Sequence, residues 1–99
     1  MTANLTMVLA SAFLAPVIPE RGIGCGRVYV SVGGEHAKEV AKAAKALGKK
    51  FQKRSHYGTS NALYVGYDNC DGEALARGTA IVAALKAVGV EAFRDEQGD

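Results

Sequence analysis

Valine returns at every second position through Arg27-Val28-Tyr29-Val30-Ser31-Val32, the two-residue period of a strand with one buried face. Val28, Val30 and Val32 are therefore expected to face a core. Gly33-Gly34 closes the run, and over Glu35 to Leu47 the period becomes helical, with Ala37, Val40, Ala41, Ala44 and Leu47 on one side and Gly48 as the stop. Lys49 to Tyr57 is short and basic, the character of an edge strand guarded by charge, and Gly58-Thr59-Ser60 is a turn of hairpin length. Asn61 to Asp68 then predicts a strand beside the first, with Leu63, Val65 and Tyr67 on one face and Ala62, Tyr64 and Gly66 on the other. Turn chemistry at Asn69-Cys70-Asp71-Gly72 offers Asp71 as an N-cap for a helix from Glu73 to Val88. Its buried stripe is Leu75, Gly78, Val82 and Leu85. Gly78 costs ~1 kcal/mol against alanine inside a helix unless close packing requires it. Val90 to Asp95 reads as the last strand.

Residues 27–95 thus spell strand-helix-strand-strand-helix-strand, an α+β chain on the plan of the ferredoxin-like two-layer sandwich. In that plan two helices cover one face of a four-stranded antiparallel sheet and leave the other open. Residues 1–26 form an N-terminal extension in which Leu5, Met7 and Leu9 suit either an added strand or a short helix, and residues 96–99 are an acidic tail. A chain of 99 residues is the size of one domain, and 48% hydrophobic against 22% charged residues is ample to form a core.

A net charge of +2 does not by itself make a polyanion binder, but the charges are segregated. From Lys38 to His56 there are seven Lys or Arg and one acid, whereas from Asp68 onward seven acids face three bases. The apolar run Leu5 to Ile18 has no basic flank, is broken by Pro16, and is too short to span a membrane. Cys25 and Cys70 have no metal-ligand or disulfide-scaffold spacing. Antiparallel first and third strands would bring them together, but the expectation is a cytoplasmic protein with two reduced thiols. His36 and His56 are expected at the opposite end of the sheet, which leaves no Cys2His2 site.

Tyr29 and Tyr64 alternate with core positions on neighbouring strands, so both are expected on the open, solvent-facing side as a platform for unpaired bases. Val28-Tyr29-Val30-Ser31-Val32-Gly33 and Tyr64-Val65-Gly66-Tyr67 here resemble the two short motifs of the RNA-recognition motif, which lie on the same two strands. Ser60, Asn61 and Ala62 depart from the longer motif's basic, glycine and third-position aromatic residues. The resemblance spans residues 27–95 and implies single-stranded RNA or DNA as partner.

Lys38, Lys42, Lys45 and Lys49 repeat at spacings of four, three and four along one helix face, and Lys53, Arg54 and His56 extend the positive surface. Gly33, Gly34 and the following helix start are expected beside residues 56–60, an arrangement able to hold an anion, although no Walker loop is present. No histidine is paired by motif with a nucleophile, and no cofactor or metal is implied. Two readings follow for a non-enzymatic binding protein. One is a nucleic-acid binder; the other is an inhibitor or adaptor docking on an acidic protein surface, of the kind phages and mobile elements direct at host nucleic-acid-handling or defence complexes.

Overall fold

The computed structural model describes residues 4–20, 25–54 and 60–98. Among these the chain runs α1 (Leu5–Leu14), β1 (Gly26–Val32), α2 (Ala37–Ala46), β2 (Phe51–Arg54), β3 (Ser60–Asp68), α3 (Glu73–Ala87) and β4 (Ala92–Gly98). The strands form one four-stranded sheet in the order β2-β3-β1-β4, with every neighbouring pair antiparallel. The α+β class and the antiparallel sheet agree with the hydrophobic periods. Three helices rather than two accompany the sheet, because the N-terminal run is helical and not an added strand. Glu96 and Gln97, expected in a tail, continue β4 opposite Val28 and Arg27 of β1.

Local chemistry explains the boundaries. Asn4 caps α1 by accepting a bond from the Met7 backbone N–H at 3.2 Å, and Pro16 forces Ala15 into an extended conformation that ends it. Both α2 and α3 close in the same way: Lys49 N–H donates to the Ala44 carbonyl and Val90 N–H to the Leu85 carbonyl, with left-handed Gly48 and Gly89 just before each donor.

One continuous core lies on one side of the sheet. Val30, Val32 and Leu63 from the strands meet Val40, Ala43 and Ala44 from α2, Ile81 and Leu85 from α3, and Leu5 and Leu9 from α1. On α3 it is Ile81 that is fully buried, while the expected Val82 is only partly so. Gly78 is where α3 comes closest to the sheet: a side-chain carbon there would stand 3.0 Å from both Val28 Cγ1 and Arg94 Cδ. Close packing is thus the reason glycine is kept in mid-helix.

The expected alternation along β3 fails at one point. Tyr29 pairs with Tyr64 and Val28 with Gly66, so Val65 is an extra residue, a bulge. Beyond it Gly66 turns to the helix side, 3.9 Å from Ala74 as measured to an added carbon, and Tyr67 pairs with exposed Arg27. Both had been expected on the other faces.

The segment after α1 is tied down at Ala15 and at Glu20. Arg77 of α3 donates to the carbonyls of Ala12, at 2.8 Å, and Ala15. Glu20 N–H donates to the Gly72 carbonyl at 3.0 Å, where the two backbones lie so close that any side chain on Gly72 would overlap Glu20. Cys25 and Cys70 are then joined in a disulfide, with Cα atoms 4.6 Å apart. This corrects the expectation of two reduced thiols, and with it goes the cysteine-based reason for a reducing compartment. Among the described residues no helix is long and apolar enough to cross a membrane.

Candidate functional site

Because Tyr29 alternates with core-facing Val28 and Val30, it stands on the side of the sheet away from the core, and antiparallel partners share its face. The register therefore draws three rows across this face. Phe93, Ser31, Ala62 and Gln52 form one; Asp95, Tyr29 and Tyr64 form the next; Gln97, Arg27 and Tyr67 form the third. The Tyr29 and Tyr64 ring centroids are 5.4 Å apart and tilted by 60°, within the range of favourable aromatic pairs.

Exposure divides the labour among these side chains. Ser31 and Ala62 are buried and make a floor of small residues. Tyr29, expected to face solvent, is only 7% exposed, so it braces Tyr64 instead of offering a ring of its own. Tyr64 is half-buried and Phe93 is 57% exposed. The accessible aromatic surface is thus Phe93, Tyr67, which is 41% exposed, and half-buried Tyr64. Phe93 was missed in the sequence, although its alternation with buried Ala92 was the available signal.

The lysines of the sequence stripe lie elsewhere, although exposed Arg27 shares the tyrosine face. α2 turns Val40, Ala43 and Ala44 toward the core and leaves Lys38, Lys42 and Lys45 exposed on its outer surface, across the sheet from Tyr29 and Tyr64. Lys49 is exposed beyond the helix end, with Nζ 4.4 Å above the Phe13 ring, a cation–π contact that ties it to α1. Lys53 and Arg54 belong to β2, with Arg54 in register with Ser60. His56 lies outside the described residues. The lysine stripe of α2 and the tyrosine pair, both expected to contact the partner, are on opposite sides of the sheet.

The expected anion site at Gly33 meets an acidic neighbour. Glu91 Oε2 is 3.3 Å from where a Gly33 side-chain carbon would be, and Gly33 N–H is spent on the Glu91 carbonyl at 2.9 Å. His36 caps α2 without a side-chain hydrogen bond.

Two polar clusters among the described residues serve the structure. Asp68, 2% exposed, accepts from Gly72 N–H at 3.0 Å and Leu75 N–H at 3.1 Å, so it caps α3 from the end of β3. Burial alone would raise its pKa, but bonds from the backbone N–H groups of Gly72, Leu75, Cys70 and Ala74 outweigh this and hold it below the ordinary carboxylate value. The expected cap, Asp71, only accepts from Glu73 N–H at 3.1 Å. In the second cluster the Arg94 guanidinium bonds Glu20 at 2.9 Å, Thr79 at 2.7 Å and Glu96 at 2.8 Å. Hydrogen bonds from Arg94 and Thr79 lower the Glu20 pKa. Among the described residues no group of three or more His, Cys, Asp or Glu is placed to hold a metal ion. Compared with protein-family models, with curated proteins and with solved structures, the chain has no match.

Proposed function

We propose that this chain is a ferredoxin-like βαββαβ module, extended by an N-terminal helix, that binds single-stranded nucleic acid on its helix-free sheet face without catalysing a reaction. The observation that carries the reading is the Tyr29–Tyr64 pair, set side by side on neighbouring central strands. Tyr64 and Phe93 stack bases, and Tyr29 braces Tyr64. RNA-recognition-motif proteins use the same two strands, and here Phe93 makes up for the missing aromatic at Ala62. Each base stacked on an aromatic ring contributes ~1–3 kcal/mol.

Fluorescence anisotropy with labelled single-stranded RNA and DNA oligonucleotides tests this. Tyr64→Ala and Phe93→Ala should each weaken binding by roughly 5- to 150-fold, the equivalent of one lost stack. Absence of binding at low salt, or variants that bind like the parent chain, would remove the proposal.

A protein partner is the second reading, and Asp95 favours it. This carboxylate stands in the same row as the tyrosines, where an acidic group beside an aromatic anchor suits a surface of mixed charge. In this reading the chain is an inhibitor or adaptor anchored by Phe93. Capture of a partner that survives nuclease treatment and is lost with Phe93→Ala distinguishes it from the first.

A further inference from the structure

The charges of the chain are divided between its helices and the rest. Residues 37–50 and 73–87, which hold α2, the turn after it and α3, carry seven Lys or Arg and two acids, while residues 1–19, with α1, carry no charged side chain. The rest of the chain carries five Lys or Arg and eight acids. The helix layer thus has a net charge of +5 and the remainder −3, although the whole chain is only +2. Lys38, Lys42, Lys45, Lys49 and Lys50 are all exposed, and none makes an ion pair with a described residue. Like charges three and four positions apart on a helix repel, a cost that an anionic partner relieves.

The apolar helix lies against this cationic patch. α1 packs on both α2 and α3, and Lys49 Nζ stands 4.4 Å above the ring of Phe13. Leu5, Leu9 and Ala12 turn into the core, so the outward side of α1 and of the segment behind it bears Met7, 66% exposed, Leu14, 83% exposed, and Ile18, 89% exposed. We propose that the helix layer seats the protein on the surface of an anionic lipid bilayer. Lys38, Lys42, Lys45 and Lys49 meet the headgroup phosphates, and Met7, Leu14 and Ile18 dip into the boundary between headgroups and acyl chains.

Charge selects an anionic surface as the occupant, because it attracts the +5 side and repels the −3 side and so orients the molecule before contact. The apolar side chains select lipid over a soluble polyanion. A phosphate-rich polymer would engage the lysines and leave Met7, Leu14 and Ile18 in water, whereas a bilayer takes both, with apolar groups below its headgroups and lysines among them. Neither signal suffices alone, since stable attachment takes an apolar anchor together with a polybasic patch. At 10 residues α1 lies on such a surface and does not span it. In this pose the sheet face with Tyr64 and Phe93 points away from the membrane, so the inference stands apart from the nucleic-acid reading.

Cosedimentation of the full chain with phosphatidylcholine vesicles, with and without phosphatidylglycerol, tests the inference. Each lysine near an anionic surface strengthens partitioning about fivefold, so Lys38→Gln with Lys42→Gln should weaken binding about 25-fold. Leu14→Glu should weaken it at least ~10-fold. All three positions are exposed, so the fold should survive, as circular dichroism can verify; Gln52→Ala on the sheet face is the control that binds like the parent. Binding should require phosphatidylglycerol and fall with added salt. Absence of binding to the anionic vesicles at low salt, equal binding to phosphatidylcholine alone, or a lysine variant that binds like the parent overturns the inference. Binding that Leu14→Glu leaves unchanged also overturns it, because the lysines then recognise anions without a bilayer. A parent chain that dimerises without lipid, through a contact that Leu14→Glu abolishes, overturns it as well, the apolar stripe then being covered by a second copy.

Discussion

Asp68 shows how much one buried residue governs. Its carboxylate accepts bonds from the start of α3 while sitting at the end of β3, so it fixes the angle between a strand and a helix that share no period. A carboxylate held below its ordinary value stabilises the folded chain fully above its unfolded pKa, and that contribution disappears as the pH falls through the lower folded value. Asp68 and Glu20, with ordinary values of 3.8 and 4.5, are both lowered, so acid should destabilise the chain below about pH 4. Asp68→Asn removes charge and one acceptor; a loss of about 1–3 kcal/mol at pH 7 is expected. Urea unfolding should show the gap between parent and variant closing toward pH 2. A gap that stays constant would mean that Asp68 contributes by shape alone. The residue was legible as a strand end, but not as a cap, since its partners lie four and seven positions away across a turn.

At the scale of elements, α1 and the segment behind it are the addition to the βαββαβ core. They are secured by side chains and backbone at Arg77, Gly72 and Arg94, and by the Cys25–Cys70 bridge, which closes a loop of sequence separation 45. Constraining a loop of that length limits the freedom of the unfolded chain by about 4 kcal/mol in the chain-entropy description, with 2–4 kcal/mol typical in practice. Reduction, or the double substitution Cys25→Ser and Cys70→Ser, should therefore lower the urea midpoint. It should also speed hydrogen exchange in α1, which hangs on the N-terminal side of the bridge. Thiol titration of the unreduced, denatured chain is the direct check: two free thiols would dismiss the bridge. Sequence could bring these cysteines near each other through the antiparallel β1–β3 pairing, but bonding depends on Cα separation, which only the folded backbone sets.

Across the whole molecule, the segregated charge of the sequence becomes a two-sided body. Exposed lysines on α2 occupy one side, and Tyr64 and Phe93 the other, with the sheet between them. If nucleic acid is taken on the sheet face, Lys38→Glu with Lys42→Glu should weaken it less than Tyr64→Ala does, and mainly at low salt, because screening over about 10 Å at 0.1 M ionic strength mutes charges across the sheet. Anisotropy titrations at two salt concentrations read this directly. A double charge reversal more damaging than Tyr64→Ala would show that the strand wraps around to α2.

The two-residue and helical periods of this chain were sufficient for β1, α2, β3 and α3 and for the class of the fold, since each period is a local property of which side chains can be buried together. They also put Tyr29 and Tyr64 side by side on neighbouring strands. What tertiary structure decided was everything that depends on the third dimension. The Val65 bulge reversed the faces of Gly66 and Tyr67; packing left Tyr29 nearly inaccessible and Phe93 exposed; and α1, ambiguous in sequence because nearly all its residues are apolar, became a helix once the core accepted Leu5 and Leu9. Burial and register are sums over neighbours remote in sequence, so no local pattern contains them.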